Sequence, residues 1–294
     1  MASTRRAAAT KTKVFDAHVH MMAWHLAKPH IVETMRRTQP QFAKIQSYVK
    51  DPAKFVKLLD GEGIERAGLI NYVAPEIMGF PPAVNEWVHD YTKGHRDRLV
   101  PFGGIHPLHT DNPRKDVETL LFTYEIAAVK IHPVHTGFAA NDYELGHSTL
   151  RILYEACERE GIPVMIHTGT SIFPLARNRF GNPMDVDDLA VDFPKLKIII
   201  AHAGRPLWMD TAMFLVRRHP NVFFDISGIP PKKLLEYLPD LERYADKALF
   251  GSDWPGPMIP SMGENAKAVN GLPLSTKTRR RLLHDNAARL FPHP

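Results

Sequence analysis

Short apolar segments rich in β-branched residues recur along the chain, and they alternate with segments in which apolar residues follow helical spacing. Several of the short segments are almost continuously apolar, which is typical of strands buried on both faces of a sheet. The pattern therefore predicts eight parallel strands, within residues 14–20, 66–73, 99–107, 126–135, 163–169, 197–204, 222–228 and 247–255.

The segments between these strands predict helices. Ser148–Glu160 carries apolar residues at helical spacing and stops before Gly161, a residue that favours the C-terminal end of a helix. Asp51-Pro52 and Asn112-Pro113 are typical of helix starts, because proline is tolerated in the first turn. The same apolar spacing predicts three further helices, at residues 207–218, 232–244 and 275–291.

Strands that alternate with helices in a chain of 294 residues favour an α/β fold, a single (β/α)8 TIM barrel. An open doubly wound sheet is the alternative, but no GxGxxG motif follows the first strand. Residues 21–50 form the longest gap between strands, and they predict a segment inserted after strand 1 that lies over the C-terminal face of the barrel. We expect one barrel domain, residues 14–294.

Charge sets the first residues apart from the rest. The net charge is +5 and the pI is about 9.2, and part of the excess lies in residues 1–13, which contain no acid. These residues predict a disordered basic tail, and a transit peptide is the alternative. Their basic residues are Arg5, Arg6, Lys11 and Lys13.

Composition also limits the partners. Basic residues beyond the tail are mixed with acids, so we expect no nucleic-acid partner. No apolar run reaches the roughly 18 residues that span a membrane. Cys157 is the only cysteine, which excludes an intrachain disulfide and a CxxC metal site. We expect a cytoplasmic protein that acts on a small molecule and binds neither nucleic acid nor membrane.

Most of the predicted strands end in a residue that can perform chemistry. In VFDAHVH, His18 and His20 are two residues apart, so both face the same side of strand 1. In a parallel barrel all such strand ends meet on one face, where the active sites of this fold lie. Imidazole and carboxylate groups suit zinc, manganese or iron. The strand-end residues that suit a divalent metal are His18, His20, His167, His202 and Asp253, and His106, Lys130 and His132 lie at further strand ends.

Five motifs, DAHVH, VKIHP, MIHTG, AHAGRP and GSDWP, occur in this order at strand ends. Together they resemble the amidohydrolase superfamily, in particular the branch that includes aminocarboxymuconate semialdehyde decarboxylase, over nearly the whole chain after residue 13. The resemblance implies one divalent metal ion, zinc in the first place and manganese as the alternative, and a homodimer. It implies that Asp253 and His202 are catalytic and that the metal ligands are His18, His20, His167 and Asp253.

Lys130 has two interpretations. In other branches of the superfamily a carbamylated lysine on strand 4 bridges two metals, and Lys130 occupies that strand. The branch resembled here usually has one metal, which favours a structural or substrate-binding role for Lys130. Asp16, just before the two histidines, is expected to orient the first-strand turn or a ligand.

The loops after the strands supply candidates for substrate binding. Arginine recognises carboxylates through its bidentate fork, and apolar side chains suit a flat ring. The substrate-binding candidates are Arg177, Arg205, Trp254, His132 and Lys130, and further loop residues on this face are Met21, Met22, Trp24, His135, Phe138, Ser171, Phe173 and Arg179. Each of these could also be a solvated or packing residue, but as a set they suggest a small organic acid.

One metal site of this kind serves two reactions. A divalent metal lowers the pKa of a bound water toward about 7, which allows hydrolysis of an ester, lactone or amide. The same ligands can hold a carboxylate for nonoxidative decarboxylation. We expect a metal-dependent hydrolase first and a carboxy-lyase of a small aromatic or unsaturated acid as the alternative. A third alternative, a non-catalytic barrel, predicts missing ligands, and none of the five is missing.

Overall fold

The computed structural model describes residues 13–257 and 259–293. The basic tail predicted for residues 1–13 therefore lies outside the described residues, except for Lys13, whose ammonium pairs with Glu65 at 2.6 Å.

Eight parallel strands form one sheet in chain order, so the predicted TIM barrel is confirmed. The last strand returns to the first, because the Ala17 amide donates to the Phe250 carbonyl and the Asp253 amide donates to the His18 carbonyl, each at 2.9 Å. The strands are β1 Phe15–Val19, β2 Arg66–Leu69, β3 Leu99–Gly103, β4 Ala128–Ile131, β5 Val164–His167, β6 Ile198–Ala201, β7 Val222–Asp225 and β8 Ala248–Leu249.

Helices occupy the connections and surround the barrel. Their bounds are α1 Pro29–Thr38, α2 Phe42–Val49, α3 Pro52–Glu62, α4 Val84–Thr92, α5 Pro113–Glu118, α6 Pro133–Thr136, α7 Ser148–Glu160, α8 Asp185–Asp192, α9 Met209–Arg218, α10 Leu234–Tyr237, α11 Met262–Asn270, α12 Thr276–Arg280 and α13 Asn286–Leu290. The bounds of α7 match the prediction. Asp51 and Asn112 each accept a hydrogen bond from the amide three residues later, as helix N-caps do.

The single helix predicted for residues 232–244 is wrong. The segment contains only α10, between a 3₁₀ turn at Pro231–Lys233 and another at Leu241–Tyr244. Pro239 explains the break, because its ring clashes with the preceding turn and its nitrogen has no proton to donate. By contrast, the helix predicted for residues 275–291 is present as α12 and α13, joined by a π turn at Arg281–Asp285.

The segment inserted after β1 folds into a short 3₁₀ turn followed by α1 and α2. Trp24 of this turn is buried, and its indole packs edge-on against Phe42 and Phe80, with ring centroids 5.5 and 6.1 Å away. The insertion is therefore held by aromatic packing against the loop after β2. No helix in the described ranges has both the length and the apolarity needed to cross a bilayer.

Candidate metal centre

Three possible metal ligands converge where β1 and β8 end. His20 Nε2 lies 3.2 Å from His18 Nε2 and 3.1 Å from the Asp253 Oδ1 atom. His18 Nε2 lies 3.7 Å from the same oxygen. Two imidazole nitrogens and a carboxylate oxygen at these separations form a donor set that suits a divalent metal.

The backbone at two catalytic candidates is in the left-handed region. Asp253 has a φ of 66° and His202 a φ of 64°, which are uncommon values for residues other than glycine. Such conformations cost about 1–3 kcal/mol each and persist only where surrounding structure imposes them. At Asp253 the hydrogen bond from its amide to the His18 carbonyl supplies this restraint.

Asp225, at the end of β7, is the centre of a buried hydrogen-bond network. Its Oδ2 accepts from His18 Nδ1 at 2.7 Å, and its Oδ1 accepts from the His202 amide at 2.9 Å and from Ser227 Oγ at 2.5 Å. Burial alone would raise the pKa of Asp225, but His18 and these donors hold the pKa well below its usual range. Burial lowers the pKa of His18 to about 4, so a neutral imidazole faces an ionised carboxylate.

His167 and His202 extend the centre from β5 and β6. His202 Nε2 lies 3.2 Å from His167 Nδ1, and His202 Nδ1 lies 2.8 Å from Ser227 Oγ. Both imidazoles are buried, and burial holds both pKa values well below the ordinary value. Within the described part of the chain, His167 Nε2 has no hydrogen-bond partner. His167 is therefore not part of the compact group of His18, His20 and Asp253, and it is linked to that group through His202 and Ser227, whose Oγ lies 3.1 Å from His18 Nδ1.

The carboxyl of Asp253 is ionised. Burial raises its pKa, but His202 and the hydrogen bond from His20 outweigh this and place the pKa well below the ordinary value. Asp16 lies beneath the group and accepts from the backbone amides of His18 and Ser252, at 3.2 and 2.9 Å. It therefore ties the end of β1 to the segment after β8, in the orienting position expected from the sequence.

A cavity of about 100 Å³ opens beside the donor group. His20, His167, His202 and Asp253 form part of its wall, and the inserted segment and the loops after β2, β4, β5, β6 and β8 form the rest. The apolar part of the wall consists of Met22, Trp24, Met35, Met78, Ile172 and Phe173. The cavity therefore combines a polar end, at the strand ends, with a largely apolar body.

The substrate-binding candidates are distributed unevenly around this cavity. Arg205 and His132 line it, and an Arg205 Nη2 atom lies 3.5 Å from Asp253 Oδ2. Arg177 is exposed, and Trp254 is buried with its ring stacked 6.0 Å from Phe55. Neither belongs to the described residues that line the cavity.

Lys130 is buried on β4. Its Nζ makes no hydrogen bond to the described residues, and burial lowers its pKa to about 8. It does not line the cavity either, among the residues described.

The position of the Arg205 side chain requires a glycine at residue 228. A Cβ atom at Gly228 would lie 2.2 Å from Arg205 Nη2 and 2.4 Å from Arg205 Nε, closer than any atoms can approach. Gly228 also has a φ of 66°, which favours glycine. The guanidinium therefore packs against Gly228, with its Nη2 atom 3.5 Å from Asp253 Oδ2.

Several site residues were missed by the sequence analysis. Tyr72 follows β2 and lines the cavity, and its hydroxyl lies 2.9 Å from His135 Nδ1. Asp225 and Ser227 lie at the end of β7 in VFFDISG, which does not match the histidine pattern of the other strands. Their position at a strand end was the available signal, since that is where the other site residues were found.

His106, predicted at a strand end, belongs to a separate cluster with Glu76 and His109. His109 Nε2 lies 2.5 Å from Glu76 Oε1, and His106 Nε2 lies 3.6 Å from Glu76 Oε2. The Leu108 amide donates to His106 Nδ1 at 3.2 Å, so the proton of this neutral imidazole is on Nε2. That nitrogen carries the proton and lies beyond hydrogen-bond distance of the carboxylate, so it has no free lone pair for a metal.

Several solved structures share the fold of this chain. An uncharacterised TIM-barrel protein from Bordetella bronchiseptica is 22% identical, with a TM-score of 0.73, and the alignment covers 95% of this chain and 98% of that chain. A 2,6-dihydroxybenzoate decarboxylase from Rhizobium is 17% identical, with a TM-score of 0.69 and coverage of 96% and 99%. A dihydroxybenzoic acid decarboxylase from Polaromonas, solved with manganese and the inhibitor 2-nitroresorcinol, is 16% identical, with a TM-score of 0.66 and coverage of 96% and 97%.

At these identities the solved structures show a shared fold and no more. Among curated proteins, none matches this sequence significantly. The family comparison is more specific, because the amidohydrolase family matches residues 15–293, which include every strand of the barrel and all five predicted metal-site residues. This chain is therefore a member of the amidohydrolase family.

Proposed function

We propose that this enzyme is a metal-dependent carboxy-lyase that removes CO2 from a small aromatic or unsaturated carboxylic acid. The observation that carries the proposal is the position of Arg205, whose guanidinium lines a largely apolar cavity and lies 3.5 Å from Asp253 in the donor group. A guanidinium beside the metal-binding end recognises a carboxylate, and the apolar walls suit an unsaturated ring. The two decarboxylases compared above act on acids of this kind.

The donor group fits one divalent metal. His18, His20 and Asp253 would hold it. His167 would be the fourth ligand, as the family resemblance implies, and zinc is the ion we propose first. Two findings support the fit, namely the neutral state of the buried imidazoles and the unpartnered nitrogen of His167 within the described residues. When bound, the ion would polarise the substrate carboxylate and neutralise its charge.

Residues of the chain would bind the substrate and transfer the proton. Arg205 would hold the substrate carboxylate, and the apolar walls would hold the ring and exclude water from it. When the bond to CO2 breaks, its electron pair stays on the ring carbon, which must then take up a proton. Asp253 lines the cavity, with its Oδ2 beside Arg205, and can pass a proton from water to that carbon, and the hydroxide left behind combines with CO2 as bicarbonate. His202, whose Nε2 lies 3.2 Å from His167 Nδ1, would carry protons to and from the polar end of the cavity.

The test is a substrate screen with two readouts. The zinc-loaded and manganese-loaded enzyme would be incubated with hydroxybenzoates and unsaturated dicarboxylic acids, and CO2 release would be followed. In D2O, a decarboxylated product must carry deuterium on the carbon that lost CO2. The Asp253→Asn variant should abolish turnover, whereas Asp111→Asn, at an exposed loop position, should not change it. CO2 release from none of these acids, or release that Asp253→Asn leaves unchanged, would contradict the proposal.

Hydrolysis, the first expectation from the sequence, stays the second candidate. Hydrolysis is favoured by the ionised carboxylate of Asp253, which can take a proton from an attacking water molecule. A parallel screen of lactones, esters and amides, with acid release as readout, separates the two reactions. Acid release that consumes one water per turnover, without CO2, would assign hydrolysis.

A further inference from the structure

Three side chains form a hydrogen-bonded line into the cavity wall. The Tyr72 hydroxyl lies 2.9 Å from His135 Nδ1, and His135 Nε2 lies 2.8 Å from Ser171 Oγ. Tyr72 and His135 are buried, with exposed fractions of 2% and 3%, whereas Ser171 is partly exposed where the cavity opens. The line therefore runs from the interior to the space available to a ligand.

Burial determines which way the protons point along this line. Within the described residues, the Tyr72 hydroxyl has no acceptor other than His135 Nδ1, so the phenol must donate to that nitrogen or leave its proton unsatisfied. A buried unsatisfied donor costs about 1–3 kcal/mol. Burial lowers the pKa of His135 to about 3, with contributions from His20 and Lys130, so the ring is neutral and has one proton. With Nδ1 accepting, that proton is on Nε2 and is donated to Ser171.

Ser171 then has both of its acceptor positions filled. Its Oγ accepts from His135 Nε2 at 2.8 Å and from the Phe173 amide at 3.3 Å. A hydroxyl has two lone pairs and one proton, so only the proton remains available to a ligand. In the opposite pattern Ser171 would donate to His135 and His135 to Tyr72, and the phenol proton would be buried without an acceptor. In the present pattern the free proton is that of the serine, which water or a ligand can accept.

Ser171 is also held close to the predicted carboxylate anchor. The amide of the preceding residue, Thr170, donates to the Arg205 carbonyl at 3.1 Å, which joins the loops after β5 and β6. The neighbouring Gly169 lies against the same carbonyl, where a Cβ atom would be 2.0 Å away. Two donors to an anion, the Arg205 guanidinium and the Ser171 hydroxyl, therefore project from loops that are fixed to each other.

We propose that Ser171 is a substrate-binding residue that acts only as a hydrogen-bond donor, and that Tyr72 and His135 are positioning residues that impose this direction. Its ligand is an oxygen without a proton, which under the proposed function is a carboxylate oxygen of the substrate. A hydroxyl of a neutral analogue could use the same position only as an acceptor. The direction of the protons does not depend on the proposed function, but the identity of the ligand does.

The first experiment measures the tautomer of His135. Nitrogen-15 spectra of histidine-labelled enzyme distinguish a protonated Nε2 from a protonated Nδ1, and a His135→Gln variant assigns the signal. We expect a protonated Nε2 in the wild type, and in Tyr72→Phe a changed nitrogen-15 shift of the unprotonated Nδ1, because that nitrogen loses the hydrogen bond from the phenol. The proposal is overturned if the wild type has its proton on Nδ1, or if Tyr72→Phe leaves the Nδ1 signal unchanged.

The second experiment measures benzoate affinity by calorimetry. Ser171→Ala should weaken binding roughly tenfold, the effect of losing one hydrogen bond to a charged group, and Ser171→Thr should restore most of it. Tyr72→Phe should weaken binding in the same direction, and the double variant should be no weaker than Ser171→Ala, because both changes remove one donor. Tyr143→Phe is the control, since its hydroxyl binds Asp192 away from the cavity wall.

The two experiments separate the inference from the proposed function. Additive losses in the double variant, or full affinity in Ser171→Ala, would overturn the role of Ser171 as an imposed donor. If benzoate does not bind the wild type, the assignment of an aromatic carboxylate as ligand is wrong and the proposed function is weakened, whereas the histidine spectra still decide the direction of the protons.

Discussion

His18 Nδ1 donates a hydrogen bond to Asp225 Oδ2 at 2.7 Å, between two side chains that are completely buried. The bond places the proton of the neutral imidazole on Nδ1, so Nε2 has a free lone pair. That nitrogen faces His20 Nε2 at 3.2 Å and the Asp253 carboxylate at 3.7 Å. Asp225 therefore leaves His18 Nε2 free for the metal that we propose at this site.

The Asp225→Asn variant should weaken metal binding by about 10–100-fold. An amide at this position accepts less strongly than the carboxylate, and it can present its NH2 group to His18, which favours the wrong tautomer. Chelator competition with purified protein measures the change. Asp111→Asn is the control for removing a carboxylate, because Asp111 is exposed and outside the network. Equal affinity in Asp225→Asn and wild type would show that Asp225 does not set the tautomer.

Elemental analysis of protein purified without added metal or chelator should find about one divalent ion per chain, because the strand ends of β1 and β8 build one compact donor group, His18, His20 and Asp253. The His20→Asn variant should reduce this value toward zero. A value of about two would instead support a bridging carbamate at Lys130, whose buried Nζ has no partner among the described residues. No metal, with none taken up on titration, would contradict the proposed mechanism.

Gly251→Ala should disturb the centre through packing alone. A Cβ at this position would lie 2.6 Å from His18 Cβ and 3.0 Å from Ser227 Cβ, so β1 and the end of β7 would have to separate. We expect a loss of about 1–3 kcal/mol in the free energy of unfolding and weaker metal binding. Gly61→Ala is the matched control, since nothing lies within 4 Å of its Cβ and alanine is favoured in a helix. Denaturant unfolding and chelator competition measure the two effects.

Gly228→Ala should displace the Arg205 guanidinium, because the added Cβ would lie 2.2 Å from Nη2. Loss of this anchor should raise the KM for an acidic substrate about tenfold or more and leave the metal content unchanged. The comparison with Arg205→Ala is decisive, since the two variants should behave alike toward acids and differ little toward a neutral analogue. A normal KM for acids in both variants would rule out Arg205 as the anchor.

Stability should fall with pH through Asp185. Burial and the nearby charges of Asp142 and Asp188 raise its pKa from 3.8 to about 6. Between these values the folded state retains a proton that the unfolded state has lost, so the group destabilises the folded state progressively as pH rises from about 4 to about 6.

Asp185→Asn removes this dependence, because the amide resembles the protonated acid. It should stabilise the protein at pH 7 by about 1 kcal/mol, or about 2 °C in Tm, and have little effect at pH 3.5. Thermal unfolding of the variant and of the exposed-site control Asp111→Asn at both pH values tests the difference. An equal change in Tm at both pH values would exclude titration of Asp185 as the cause.

Much of the centre could be predicted because, in a parallel barrel, the position of a residue along its strand determines the face of the barrel on which it lies. A residue at the C-terminal end of a parallel barrel strand must lie on one face, so the common face of His18, His20, His167 and Asp253 could be predicted from strand boundaries. Their selection as ligands among the strand-end residues came from the family resemblance. Helix N-caps such as Asp51 could also be predicted, because the capping hydrogen bond joins residues that are close in the sequence. The homodimer expected from the resemblance stays a prediction.

Side-chain roles that depend on packing could not be predicted in this way. Trp254 and Arg205 both follow strand ends and both suited a substrate, but Trp254 stacks on Phe55 in the core while Arg205 lines the cavity. The helix expected at residues 232–244 had the right apolar spacing, but spacing does not record the steric effect of Pro239.

The sequence by itself determined the barrel, the strand ends and the set of possible ligands, because alternating apolar segments and i, i+2 spacing are local properties of the chain. Only the tertiary structure decided which proton each buried group holds. The partners of His18 and His135 are Asp225, 207 residues away, and Tyr72, 63 residues away. A neutral imidazole takes its tautomer from the hydrogen bonds it finds in the fold, and those partners meet only when the sheet closes.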